Sequence, residues 1–162
     1  MNFVNGSGGV VLDSTYKAYA VVVSNAVPQT DATSLRFRTS TNAGVSYDSG
    51  AADYDHVLTV NNSSSGTASD VNSAGTANIQ ISAASGNAAG ESFGGTLLLF
   101  NPSGTNKTLV MFDFVGVNAT PNTYYHKGAG SRLSAADVDA ISFFMSAGNI
   151  SGTFTLYGLK EA

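Results

Sequence analysis

Residues Ala140–Lys160, AISFFMSAGNISGTFTLYGLK, decide the fold class. Ile141, Phe143 and Met145 share one side of an extended chain; further on, Phe154 and Leu156 alternate with Thr153, Thr155 and Tyr157. A period of two marks half-buried strands, because successive side chains of a strand point to opposite faces. Between the two runs, Ser146–Asn149 and Ser151-Gly152 supply turn formers, with Gly and Asn tolerating positive φ. The stretch reads as a β-hairpin that closes an all-β domain and ends the chain inside a sheet.

The same pattern recurs upstream. Val10–Leu12 is a short first run, so residues 1–15 are expected to form an N-terminal arm or first strand. Tyr16–Ser24 is apolar on both faces, which suits a central strand, and Pro28 ends it. Leu35–Thr39 alternates Leu35, Phe37 and Thr39 against Arg36 and Arg38, and Thr41–Gly44 reads as a tight hairpin turn into Val45–Tyr47. Val57–Val60, Ala77–Ser82, Thr96–Asn101, Leu109–Val115 and Tyr124–Lys127 are further strands, with a turn at Asn101–Gly104. Asn61–Ala74, mostly Ser, Asn, Gly, Thr and Ala, reads as a long exposed loop. The one helical signal, Ser134–Val138, supports a single turn. The expectation is a single domain over 1–162, an antiparallel β-sandwich of about nine or ten strands, jelly-roll-like in topology.

Composition narrows the function classes. The 162 residues contain no Cys, which excludes disulfides, thiolate metal sites and cysteine nucleophiles. Such a chain suits the cytosol, or a particle assembled in reducing cytoplasm. Charged residues make up 11%, against about 25% in ordinary domains. A surface of hydroxyls and amides has little charge to desolvate when it packs against a partner. The formal net charge of −4, with 7 scattered basic residues, argues against nucleic acid. Nothing approaches the roughly 18 apolar residues of a membrane span, and no signal peptide is visible.

Catalytic, cofactor and metal signatures are missing as well. Asp48, Asp53 and Asp55, and again Asp137 and Asp139, lie close in sequence without matching a calcium loop, so turn capping explains them. His56 and His126 have neither a nucleophile elbow nor a zinc motif beside them. Arg36 and Arg38 share a strand face; Asp48, Asp53 and Asp55 could answer them within the chain, or carboxylates of a neighbouring subunit could do so bidentately. Tyr124-Tyr125-His126-Lys127 could stack a sugar or seed a protein interface, with alternation turning one tyrosine inward. Arg36, Arg38, Tyr124, Tyr125 and His126 are therefore the candidate interface residues. Gly6–Gly9, Gly94-Gly95 and Gly128–Gly130 do not open a helix after a strand, so turns or bulges explain them better than a phosphate cradle.

Several segments together resemble β-sandwich proteins of tailed-bacteriophage virions. They are Tyr16–Val27 (YKAYAVVVSNAV), Leu35–Tyr47 (LRFRTSTNAGVSY) with Asp48-Ser-Gly50 and Tyr54, Gly86–Glu91 (GNAAGE) with Leu98–Pro102, and Ser146–Lys160. The resemblance runs from about Tyr16 to the C-terminus. It implies a structural component of the virion surface, assembled in the host cytoplasm, with no enzyme activity and no cofactor. The chain shows no long attachment segment and no sustained heptads, which favours a compact accessory protein over a complete fibre. The leading expectation is a capsid decoration (cement) protein, a homotrimer seated on the major capsid protein or other virion proteins. A receptor- or carbohydrate-binding module at the tail tip or fibre is the alternative, with Tyr124, Tyr125 and the Asn61–Ala74 segment as contacts. A polysaccharide-cleaving enzyme using Asp53 or Asp55 is the outlier.

Overall fold

Eleven strands follow one another without a helix among the described residues. The structure, a computed structural model, describes residues 1–160; Glu161 and Ala162, the end of the expected 1–162 domain, lie outside them. The strands are β1 (Asn2–Val4), β2 (Ala18–Pro28), β3 (Leu35–Ser40), β4 (Tyr54–Asn62), β5 (Ser69–Thr76), β6 (Ile79–Gln80), β7 (Phe93–Phe100), β8 (Leu109–Val117), β9 (Thr123–Arg132), β10 (Ala140–Met145) and β11 (Ile150–Leu159). One sheet has the order β1-β10-β3-β6, the other β11-β2-β7-β8-β9-β4-β5. Every pairing is antiparallel.

This order is a jelly roll with two elaborations. An eight-stranded jelly roll puts its first, eighth, third and sixth strands in one sheet and its second, seventh, fourth and fifth in the other. The same wrap appears here if the β7-β8-β9 meander stands for the seventh strand and β10 for the eighth. β11 is then an addition beside β2.

The closing stretch is two strands, as its alternation requires, but they are not a hairpin. β10 pairs with β1 and β3, whereas β11 pairs with β2 in the opposite sheet. The link Ser146–Asn149 therefore carries the chain across the sandwich. It lies against the β2–β3 connection, with Gln29 N–H donating to Asn149 O at 2.8 Å and Ser146 N–H to Ser34 O at 2.9 Å. Gly148 takes φ 70°, and a Cβ there would fall 2.5 Å from Thr30 Oγ1. Face-to-face packing follows: the Phe143 and Phe154 rings meet between the sheets at 5.5 Å.

The core is the set of inward faces that the alternation predicts. Tyr19, Val21 and Val23 of β2, Leu35 and Phe37 of β3, Leu97 and Leu99 of β7 and Phe112 and Phe114 of β8 are almost fully buried. In β2 the inward series shifts from Val23 to Ala26 and Pro28, because a bulge at Ser24–Asn25, with Asn25 at φ 48°, absorbs one residue. Gly95 and Gly128 sit inside strands rather than in turns. Their cross-strand partners are Phe114 and Phe112, and an added Cβ would lie 2.7 Å and 2.6 Å from those rings. The missing side chains are what lets the aromatic rings lie over the backbone.

Other expectations change. Val10–Leu12 is irregular, although Leu12 is buried, with its N–H held by Asn5 Oδ1 at 2.9 Å; the first strand is Asn2–Val4. Val45–Tyr47 forms no strand: Ala43 and Gly44 both take positive φ, and the chain returns only at Asp48, whose N–H donates to Thr39 O. Asn61–Ala74 is mostly a hairpin, with Val60 opposite Ser69 and His56 opposite Ser73. Its Ser- and Asn-rich sequence follows from an edge strand open to solvent, where β4 supplies the ladder that propensity does not. Ser134–Val138 has no helical turn; Val138 is pulled into the core, and its N–H donates to Pro102 O at 2.8 Å.

Candidate interaction face

Alternation buries one face of the seven-stranded sheet and leaves the other outside. The outward residues stand in register across all seven strands. One row runs Tyr157–Ala20–Leu98–Met111–Ala129–Val57–Asn72. The next runs Thr155–Val22–Thr96–Asp113–Lys127–Thr59–Asp70. A third begins Leu159–Ala18–Phe100–Leu109.

Eight of the large apolar side chains that the fold leaves exposed stand on this face: Val22, Val57, Leu109, Met111, Val115, Tyr125, Tyr157 and Leu159. Among the described residues, only Met1, Val11 and Val45 are exposed elsewhere. Scattered exposed apolar residues are ordinary, but a contiguous patch marks an interaction site. With seven strands about 4.8 Å apart and roughly eight residues of overlap at about 3.4 Å each, the face measures about 800 Å². That is about one partner's share of a standard protein–protein interface. Ala129 lies between Met111 and Val57, so a shallow furrow runs along β9 with those side chains as its banks.

Charge on the face is sparse and largely answered from within. Asp113 stands opposite Lys127 and accepts a hydrogen bond from the Tyr125 hydroxyl. That bond raises the Tyr125 phenol pKa, because ionisation would remove the donated proton. A partner covering this centre meets apolar side chains interrupted by the charges of Asp113 and Lys127, which stand in register without forming an ion pair, and toward the β5 edge by Asp70, which accepts from Thr59 Oγ1.

Of the five candidate interface residues, only Tyr125 belongs to this face. Tyr124 and His126 are 2% and 1% exposed, so they are core residues rather than partner contacts. The two rings stack at 4.2 Å. The Tyr124 hydroxyl shares a hydrogen bond with Ser85 Oγ at 2.9 Å, and burial pushes its pKa up to about 12. His126 Nδ1 accepts from the Ala83 N–H at 3.4 Å, and burial brings its pKa down to about 4. Arg36 and Arg38 lie on the outer side of the four-stranded sheet, in register with Phe144 and Ser142. Arg38 packs 4.8 Å over the Phe144 ring and donates through Nε to Ala77 O. Neither meets the expected carboxylates. Asp48 instead accepts from Arg132 Nε at 2.8 Å and from Thr39 Oγ1 at 3.0 Å, which ties β9 to β3 across the sandwich.

The remaining polar residues serve the fold. Asp53 accepts from Gly50 N–H and closes a turn, while Asp55 accepts from Gly75 N–H on β5 and Asp139 from Ala43 N–H in the loop after β3. His56 is buried with both ring nitrogens unpartnered, and burial, then the Arg36 charge, lowers its pKa. Among the described residues no group of three His, Asp or Glu side chains could hold a metal ion. Comparison with known proteins returned no match, whether family model, curated protein or solved structure.

Sequence reading missed the face because no local motif marks it. Met111, Val57 and Tyr157 come from strands far apart in sequence, and each alone looks like an ordinary exposed apolar residue. The signal lies in the registers, which place them in one row.

Proposed function

We propose that the protein is an adhesive structural module that seats on a larger assembly through the outer face of its seven-stranded sheet. The observation that carries this reading is the gathering of eight exposed apolar side chains on one side of the molecule, where charged residues are few. The resemblance to tailed-phage virion proteins suggests the assembly, with decoration of the assembled capsid as its leading form. The mechanism is mass action: a module that binds only the assembled lattice stabilises it by its binding free energy. Met111→Asp places a charge at the centre of the face without touching the core. The variant is expected to fold and to lose its place on particles. Particles lacking the protein are expected to release DNA at a lower temperature, and unchanged particle stability would count against decoration.

The receptor-binding alternative loses Tyr124 and keeps the exposed Tyr125 ring beside Asp113 and Lys127, together with the exposed tip of the Asn61–Ala74 hairpin. It predicts glycan or cell binding by the purified protein that Tyr125→Ala abolishes and Met111→Asp spares.

A further inference from the structure

The two sheets have four edges, and three of them are blunted. β1 and β6 present three and two residues, and β5 carries Asp70 among Ser, Asn and Gly. β11 differs: it borders the seven-stranded sheet for ten residues, Ile150–Leu159, without a charge or a proline. Edge strands are normally guarded by brevity, lysine, proline or a bulge, because their unpaired N–H and C=O groups template another strand. No such device lies in β11 itself; its one irregularity is at Gly152, opposite the β2 bulge and near its start. Beyond it, Thr153–Leu159 pairs with β2 without interruption, and among the described residues no strand lies on its other side. Phe154 and Leu156, which point toward the core, are only partly covered there.

We propose that β11 pairs antiparallel with β11 of a second copy about a two-fold axis, joining two seven-stranded sheets into one. In a strand that pairs with itself about a two-fold axis, the residue at the axis faces its own copy and those beside it face close neighbours, so a charge near the middle of the strand would meet like charge. The uncharged run meets that condition. Registers that keep the two cores on the same side set Phe154 and Leu156 against each other, and Thr153, Thr155 and Tyr157 among themselves. Both sets are self-compatible. Alternate residues of the regular segment offer both backbone groups to the free side, enough for about six new hydrogen bonds. The pair would carry two adhesive faces on one continuous surface, and two linked sites bind an extended lattice far more tightly than one. The pairing extends the adhesive reading without depending on it.

The chain contains no Cys, so single cysteines report directly. Light scattering of the purified protein is expected to give twice the 16.5 kDa chain mass. Under oxidation, at least one of Thr153→Cys, Thr155→Cys and Tyr157→Cys is expected to form a covalent dimer, while Asn72→Cys on β5 forms none. Thr155→Lys is expected to give a folded monomer, and Met111→Asp to remain a dimer. A monomeric wild type, a trimeric mass, a dimer that none of the three cysteines traps, or a dimer broken by Met111→Asp but not by Thr155→Lys would each overturn the pairing. Those results would leave the particle-binding test of Met111→Asp to stand or fall separately.

Discussion

Acid is expected to loosen this fold through His126. The imidazole lies 1% exposed between the sheets, stacked on Tyr124, with its Nδ1 turned to the Ala83 N–H. Its pKa falls from 6.5 to about 4 because burial disfavours the cation. The unfolded chain takes up this proton near its ordinary pKa, whereas the folded chain resists until far lower pH. Stability is therefore fully present above the unfolded pKa and is lost as pH falls toward the folded one. A gap of about 2.5 units at about 1.4 kcal/mol per unit amounts to about 3 kcal/mol in all. About 2 kcal/mol of it is lost between pH 7 and pH 5, where ordinary carboxylates are still mostly ionised. His56, whose pKa is lowered by burial and by Arg36, adds in the same direction. Urea denaturation at the two pH values measures the loss as a shift in midpoint at constant slope. His126→Phe keeps a ring against Tyr124 but cannot titrate, so its pH dependence is expected to shrink by about 2 kcal/mol. Equal wild-type stability at both pH values, or an undiminished pH dependence in His126→Phe, would refute the reasoning.

Three further outcomes follow from the packing. Gly128→Ala puts a Cβ 2.2 Å from Val57 O and 2.6 Å from the Phe112 ring, so it is expected to lower stability by about 3 kcal/mol or more in thermal denaturation. A double-mutant cycle between Phe143→Leu and Phe154→Leu is expected to return a coupling of about 1 kcal/mol, since the rings meet across the sheets; zero coupling would contradict that contact. Arg132→Gln removes the partner of Asp48 at a site where the two side chains are 11% and 24% exposed, and is expected to cost about 2 kcal/mol in urea, with little relief from added salt.

What could be read from the sequence follows the physics of alternation. Tyr19, Val21 and Val23, or Leu97 and Leu99, declare themselves as inward residues because period two is a local property. Pairing is not local. Ile141–Met145 and Phe154–Leu156 alternate identically whether they lie side by side in a hairpin or face to face across a sandwich, so the crossing at Ser146–Asn149 was invisible. Gly94-Gly95 and Gly128–Gly130 looked like turns because their use, making room for Phe114 and Phe112, depends on cross-strand partners. The Asn61–Ala74 segment differs from its reading for the opposite reason: its composition speaks for a loop, and only β4 makes an edge strand of it. Tyr124 and His126 drew attention as an aromatic-basic run, and alternation correctly required one tyrosine to turn inward. It is also why His126, two residues on, shares the fate of Tyr124.

The adhesive face can be tested with the three methionines as built-in probes. Met111 stands on the face at 48% exposed, Met1 lies off it at 51%, and Met145 is buried at 4%. Hydroxyl-radical oxidation read by mass spectrometry reports each thioether separately. In the purified chain, Met1 and Met111 are expected to oxidise readily and Met145 slowly. In the native assembly, Met111 should become as slow as Met145 while Met1 stays fast. Met111 oxidising equally fast in both would contradict the account.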